Sequence, residues 1–148
     1  MEPIPFIKMH GLGNDFVIID GRERLPELSG TALRAIADRH RGVGYDQLIV
    51  MEPGNSAAAI FMRIYNADGS EAEACGNATR CVAHLLMQES GTQDVIIETR
   101  AGLLVGTRND HGDIVIDMGK PKLEWQEIPL SQPEDTAHVR LEVGPLAD

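Results

Sequence analysis

Cysteine is scarce in this chain: its 148 residues include two, Cys75 and Cys81, six positions apart. A disulfide between them is excluded if one helix carries both, because six helical residues span about 9 Å, more than a disulfide bridges. Nor is a zinc site expected, since the histidines (His10, His40, His84, His111, His138) are scattered. Positive charge is also short. The formal net charge of −10 argues against nucleic acid and anionic membranes as partners. No apolar run approaches the roughly 18 residues of a membrane span. The opening "MEPIPFIKMH" has no basic segment followed by an apolar one, so a cytoplasmic chain is expected rather than a secreted one. Repeats, low-complexity tracts and a linker to a second domain are missing too.

What is present is a globular composition, 43% hydrophobic and long enough for one domain with its own core. "PFIKMH" and "DFVIID" read as strands joined by the turn "GLGN". "SGTALRAIADRH" reads as a helix capped by Ser29 or Thr31, with Leu33, Ile36 and Ala37 on one face. "DQLIVMEP" and "AAAIFMRIYNADG" follow as strands around the turn "PGNS". A second helix is expected from about Gly76 to Ser90, with Gly91 as its C′ residue. Arg80, His84 and Gln88 form its single polar stripe, so most of its circumference is buried. Strands "DVIIETRAG", "LLVGTRN", "DIVIDMG" and "HVRLEVG" come after it, with an irregular stretch "GKPKLEWQEIPLSQPEDTA" before the last. The fold class expected is α+β, a mostly antiparallel sheet curled around a central helix.

Cys75 stands where the loop "NADGSEAEACGN" enters that helix. Backbone N–H groups at a helix start lack partners inside the helix. With the helix dipole they favour thiolates and carboxylates, and such placement lowers a cysteine pKa from about 8.5 to roughly 3.5–7.5. Gly76 and Asn77 leave room for a ligand to approach the backbone. The pattern suggests chemistry on a small carboxylate. Two readings of the cysteines stay open: one functional and one structural thiol, or two structural ones. Asn66, at a strand end beside the cysteine loop, differs from Asp68 and Gly69, which read as turn residues. Asn14 is either a ligand group or a left-handed turn residue, and Gln47 either a ligand group or a surface residue at a strand end.

"KMHGLGNDFVIID", "ADRHRGVGYDQLIV" and "IYNADGSEAEACGNATRC", in that order, closely resemble the N-terminal half of diaminopimelate epimerase. The resemblance implies a protein of two similar halves, each a sheet curled around a helix. It implies inversion of one α-carbon of L,L-diaminopimelate to the meso form, with no pyridoxal phosphate and no metal. One cysteine from each half flanks that carbon: a thiolate removes the α-proton and a thiol protonates the opposite face. Cys75 matches the first-half cysteine. Asn14, Gln47, Asn66, Gly76 and Asn77 match positions that hold the substrate. The three lysines, Lys8, Lys120 and Lys122, sit in no phosphate-binding context.

On this resemblance, residues 1–148 are a single N-terminal domain without its C-terminal partner domain, and two-base epimerisation by the chain alone is not expected. Exposed apolar surface left by the missing half would promote a homodimer. Ala78 replaces a glycine common in relatives, with a small effect expected on ligand approach. Arg80 either adds positive potential near Cys75 or pairs locally, and Cys81 is expected to be buried and inert. Rival functions are a racemase for another small amino acid and a non-catalytic binding module of the same fold. A redox thiol pair fits poorly, because no C-x-x-C occurs.

Overall fold

The computed structural model describes residues 3–128 and 130–139. Its elements are β1 (Ile7–Gly11), β2 (Asn14–Asp20), α1 (Gly30–Ala37), β3 (Gln47–Pro53), β4 (Ile60–Asn66), β5 (Glu71–Ala72), α2 (Gly76–Ser90), β6 (Asp94–Thr99), β7 (Gly102–Arg108) and β8 (Ile114–Asp117). The chain divides into a unit over Met1–Met118, which holds all of these, and a unit over Gly119–Asp148. The described part of the second unit is irregular, as expected. Thr136 Oγ1 donates there to the Leu123 carbonyl at 2.5 Å. The expected strand "HVRLEVG" lies outside the described residues except for His138 and Val139, which are not in a strand.

In the first unit the strand order is β1-β2-β3-β4-β6-β7-β8, with β5 added on β4. Five of the seven pairings are antiparallel, so the sheet is mostly antiparallel. The two parallel pairings are β2 with β3 and β4 with β6. Each is bridged by a helix, because parallel neighbours need a long crossover. α2 packs against β1 and β8, the two ends of the strand order, and against β2, β6 and β7 between them. A sheet whose two edges meet one helix has to bend around it.

Alternation along β2 and β3 sorts the apolar residues onto two faces. Phe16, Ile18, Ile49 and Met51 join Met62 and Ile64 of β4 and Ala78, Cys81, Val82 and Leu86 of α2 in the main core. Val17, Ile19, Leu48 and Val50 point the other way, onto Leu33 and Ala37 of α1 and onto Tyr45. The buried Tyr45 hydroxyl is satisfied by the Leu33 carbonyl at 2.7 Å.

Ser29 is the N-cap of α1, its hydroxyl accepting from the Ala32 N–H. The helix stops at Ala37, short of the expected His40. Asp38 takes the backbone N–H groups of His40 and Arg41 onto its own carboxylate, a local turn that competes with helix. β4 likewise starts at Ile60 rather than Ala57, because Asn55 accepts from the Ala57 N–H and extends the turn. α2 ends as expected, with Gly91 left-handed at φ 70°.

Candidate active site

β1 and β2 are joined by a two-residue turn, Leu12 and Gly13, with φ of 55° and 88°. Asn14 is therefore the first residue of β2, paired with Gly11, and not the left-handed turn residue. The end of β1 lies against the start of α2: a Cβ on Gly11 would come 3.3 Å from the Asn77 Cβ and carbonyl oxygen. This packing brings Asn14 to the mouth of α2.

Cys75 is the N-cap of α2, in extended conformation, and its side chain makes no capping hydrogen bond. Its backbone is held firmly instead, since the Cys75 carbonyl accepts from both the N–H and the hydroxyl of buried Thr79, at 2.9 and 2.8 Å. The half-buried Sγ borders the main core and lies 3.8 Å from Asn14 Oδ1. The first-turn N–H groups of α2 open beside it, as they do at any helix start.

Asp46 decides which end of Asn14 meets the sulfur. Its Oδ2 accepts from Asn14 Nδ2 and from the Asp15 N–H, both at 3.0 Å. A carboxylate only accepts, so the Asn14 amino end faces Asp46 and its oxygen faces Cys75. Asp46 is itself held by Arg39 at 2.8 Å. Arg39 also grips Asp15, at 2.7 Å, and Lys8 reaches Asp15 at 2.6 Å.

These partners, the Arg39 guanidinium first, hold the Asp15 carboxyl well below the usual carboxylate range. A depressed folded-state pKa stabilises the fold above the unfolded value near 4, and that contribution fades as pH falls toward the folded one. Urea midpoints measured from pH 7 to pH 3 should therefore show wild type losing its advantage over Asp15→Asn below about pH 4. A gap that stays constant with pH would contradict this.

Gln47 and Asn66 face one another across the β3–β4 ladder. Gln47 Nε2 donates to Asn66 Oδ1 at 3.1 Å, and Asn66 Nδ2 donates to Ser70 Oγ at 3.0 Å. Gln47 is thus half-buried and engaged, not a free surface residue. Asn77 Oδ1 accepts from Arg80, which gives Arg80 its local partner. Ala78 is fully buried, its methyl in the core, so it does not face a ligand as expected. Asn14, Cys75, Asn77 and Gly76 thus gather at the mouth of α2. Gln47 and Asn66 join through Asp46, the sequence neighbour of Gln47. Sequence reasoning missed Asp46 and Ser70. The available signals were an acidic residue directly before Gln47 and the Asp-Gly-Ser turn after Asn66.

Cys81 differs from Cys75 in exposure and in its place on the helix. It is buried on α2, and desolvation pushes its thiol pKa up. Iodoacetamide near neutral pH should alkylate Cys75 roughly tenfold or more faster than Cys81. Peptide mass spectrometry over time checks this, and equal rates would contradict it. Among the described residues, no three His, Cys, Asp or Glu side chains gather as metal ligands would, and no helix is long and apolar enough to cross a membrane.

Residues 6–124 match the sequence profile of the family described as diaminopimelate epimerase. The chain belongs to the diaminopimelate epimerase family. A diaminopimelate epimerase of Acidiphilium cryptum (strain JF-5) is 55% identical over 96% of this chain and 51% of its own length. One from Rhodospirillum centenum (strain ATCC 51521 / SW) is 52% identical, over 97% of this chain and 50% of its own length. The chain therefore spans about half the length of the curated diaminopimelate epimerases it matches, the proportion expected of an N-terminal half.

Solved structures share the fold at low identity. A Pseudomonas aeruginosa structure described as a predicted epimerase aligns with TM-score 0.60 at 19% identity, over 82% of this chain and 45% of that one. A hydroxyproline epimerase from Agrobacterium vitis aligns with TM-score 0.56 at 18% identity, over 76% and 40%. They share an α+β fold with this chain.

Proposed function

We propose that this chain is the N-terminal half of a diaminopimelate epimerase, and that Cys75 is one of the two thiols that exchange the α-proton of diaminopimelate without cofactor or metal. The observation that carries this reading is the position of Sγ. It stands at the mouth of α2, uncommitted as a cap and 3.8 Å from Asn14 Oδ1. As thiolate, Cys75 takes the α-proton and becomes a thiol while the carbon keeps the electron pair. A second thiol then protonates the opposite face and becomes the thiolate. The α2 N–H groups, aimed at the substrate carboxylate, stabilise the developing negative charge. Asn14, Gln47, Asn66, Gly76 and Asn77 hold the substrate around that point.

Cys81 does not supply the second thiol, because it is buried in the core of α2. With two cysteines in the whole sequence, the second base comes from the complementary half, which also closes the half-exposed site against water. On this reading the protein works in the cytoplasm. Exposed Ile96, Leu103, Val105 and Val115 share one face of β6–β8 and support self-association of the isolated chain.

Mixing the purified chain with the separately expressed second half of the Acidiphilium cryptum relative should produce meso-diaminopimelate from the L,L isomer, while either half alone should not. A chain that turns over by itself at the rate of the mixture refutes the reading.

Gly76 supplies a further check. A Cβ there would meet Met118 Sδ at 3.4 Å, an ordinary contact, and its φ is not positive. Alanine therefore fits the chain's own packing and should stabilise α2 by about 0.5–1 kcal/mol. It should nonetheless raise KM in the assembled enzyme, because the methyl stands where the ligand approaches. Unchanged KM alongside raised stability would remove Gly76 from the site.

A further inference from the structure

The site contains a hydrogen-bond chain whose direction is set at its far end. Asp68 Oδ1 accepts from the Ser70 hydroxyl at 2.6 Å and from the Ser70 N–H at 2.8 Å. These bonds, the hydroxyl's first, hold the Asp68 carboxyl below its ordinary value, so it is ionised and acceptor-only near neutral pH. Ser70 has a single hydroxyl hydrogen and uses it on Asp68, so its oxygen is left as an acceptor. Asn66 must then turn its amino group toward Ser70, at 3.0 Å. Its oxygen therefore faces Gln47, which must in turn present its amino group, at 3.1 Å. The remaining atom, Gln47 Oε1, is buried, and among the described residues it has no hydrogen-bond partner. A buried acceptor without a donor is costly unless a ligand supplies one.

We propose that Ser70 and Asp68 are positioning residues that fix the amide polarity of Asn66 and Gln47, so that the site offers a carbonyl oxygen and accepts an N–H donor there rather than a carboxylate. The proposal rests on the functional reading above for the identity of the ligand, but the relay itself does not. Asn66 and Gln47 are related by the β3–β4 register, so the turn at Ser70 acts on Gln47 without touching it. The backbone of the turn is itself anchored, because Arg34 donates to the Asp68 carbonyl at 3.2 Å.

The test uses side-chain amide hydrogen exchange in the 15N-labelled chain, with no ligand added. Ser70→Ala removes the acceptor that orients the Asn66 amino group. Exchange of the Asn66 and Gln47 side-chain amino protons should rise about tenfold, the effect of losing one net hydrogen bond. Backbone amides of β3 and β4 should keep their wild-type rates. Ser70→Thr keeps the hydroxyl and should restore wild-type exchange. Unchanged side-chain exchange in Ser70→Ala, or a rise spread equally over the backbone of both strands, overturns the relay.

In the assembled halves, Ser70→Ala should raise KM for L,L-diaminopimelate several-fold more than it lowers kcat, with threonine again restoring it. A fall confined to kcat overturns the positioning role. Because the exchange measurement needs no turnover, an inactive assembly counts against the functional reading and leaves the relay to be decided by exchange.

Discussion

Cys75→Ala should lower epimerisation by the assembled halves by roughly 10²–10⁴-fold, the contribution of one positioned acid–base group. The loss is not a folding defect, because the Cys75 side chain makes no capping bond and its backbone anchor through Thr79 survives the change. Urea unfolding of the variant chain should stay within about 0.5–1 kcal/mol of wild type. Cys75→Ser separates stability from activity further. Serine is a favoured N-cap and cysteine is not, so the hydroxyl should turn back to the first-turn N–H groups and stabilise α2 by up to about 1 kcal/mol. The same turn draws the side chain away from Asn14, and an alkoxide is far less accessible than a thiolate near neutral pH. A variant that is more stable and nearly inactive is the expected result. Substantial activity in Cys75→Ala would remove this thiol from the reaction.

The second large effect is on stability. Phe16→Ala should cost about 3–5 kcal/mol, the range for emptying a fully buried aromatic site. Phe16 is 0% exposed and packs among residues of the main core around α2. It also lies two residues beyond Asn14 on β2 and pairs with Gln47 on β3. The cavity therefore opens beneath the strand that carries Asn14 to Cys75. Denaturant unfolding should show a fall in midpoint with little change in slope. A loss below about 1 kcal/mol would mean that the site rests on a different core than the one described.

The sequence shows some of this directly and leaves the rest hidden, for identifiable reasons. α2 is legible from end to end because its apolar circumference, the Arg80–His84–Gln88 stripe and Gly91 agree with one another. The overrun of α1 to His40 reflects Asp38, whose side-chain bonds to the next turn do not show in apolar periodicity. The parallel pairing of β2 with β3 is hidden because both strands are buried on both faces, which gives "FVII" and "LIVM" continuous apolar runs without alternation. β5, two residues long, has no period to read.

At the site, Cys75, Gly76 and Asn77 are visible because the chemistry and the helix start coincide in one short stretch. Asn14, Gln47 and Asn66 show only as polar residues near turns, and it is the family resemblance that makes them site candidates. The groups that aim them are not visible. Asp46 acts on Asn14 across 32 residues of sequence, and Ser70 acts on Gln47 only through the strand register. Which strand ends meet is a property of the sheet.

The most direct measurement is α-deuteration in D2O. The assembled halves should form meso-diaminopimelate with solvent deuterium at the inverted carbon, and Cys75→Ala should slow the incorporation together with the epimerisation, by the same roughly 10²–10⁴-fold. Product formed without solvent deuterium, or deuterium uptake at an undiminished rate in Cys75→Ala, would contradict the assignment of Cys75 as an acid–base thiol.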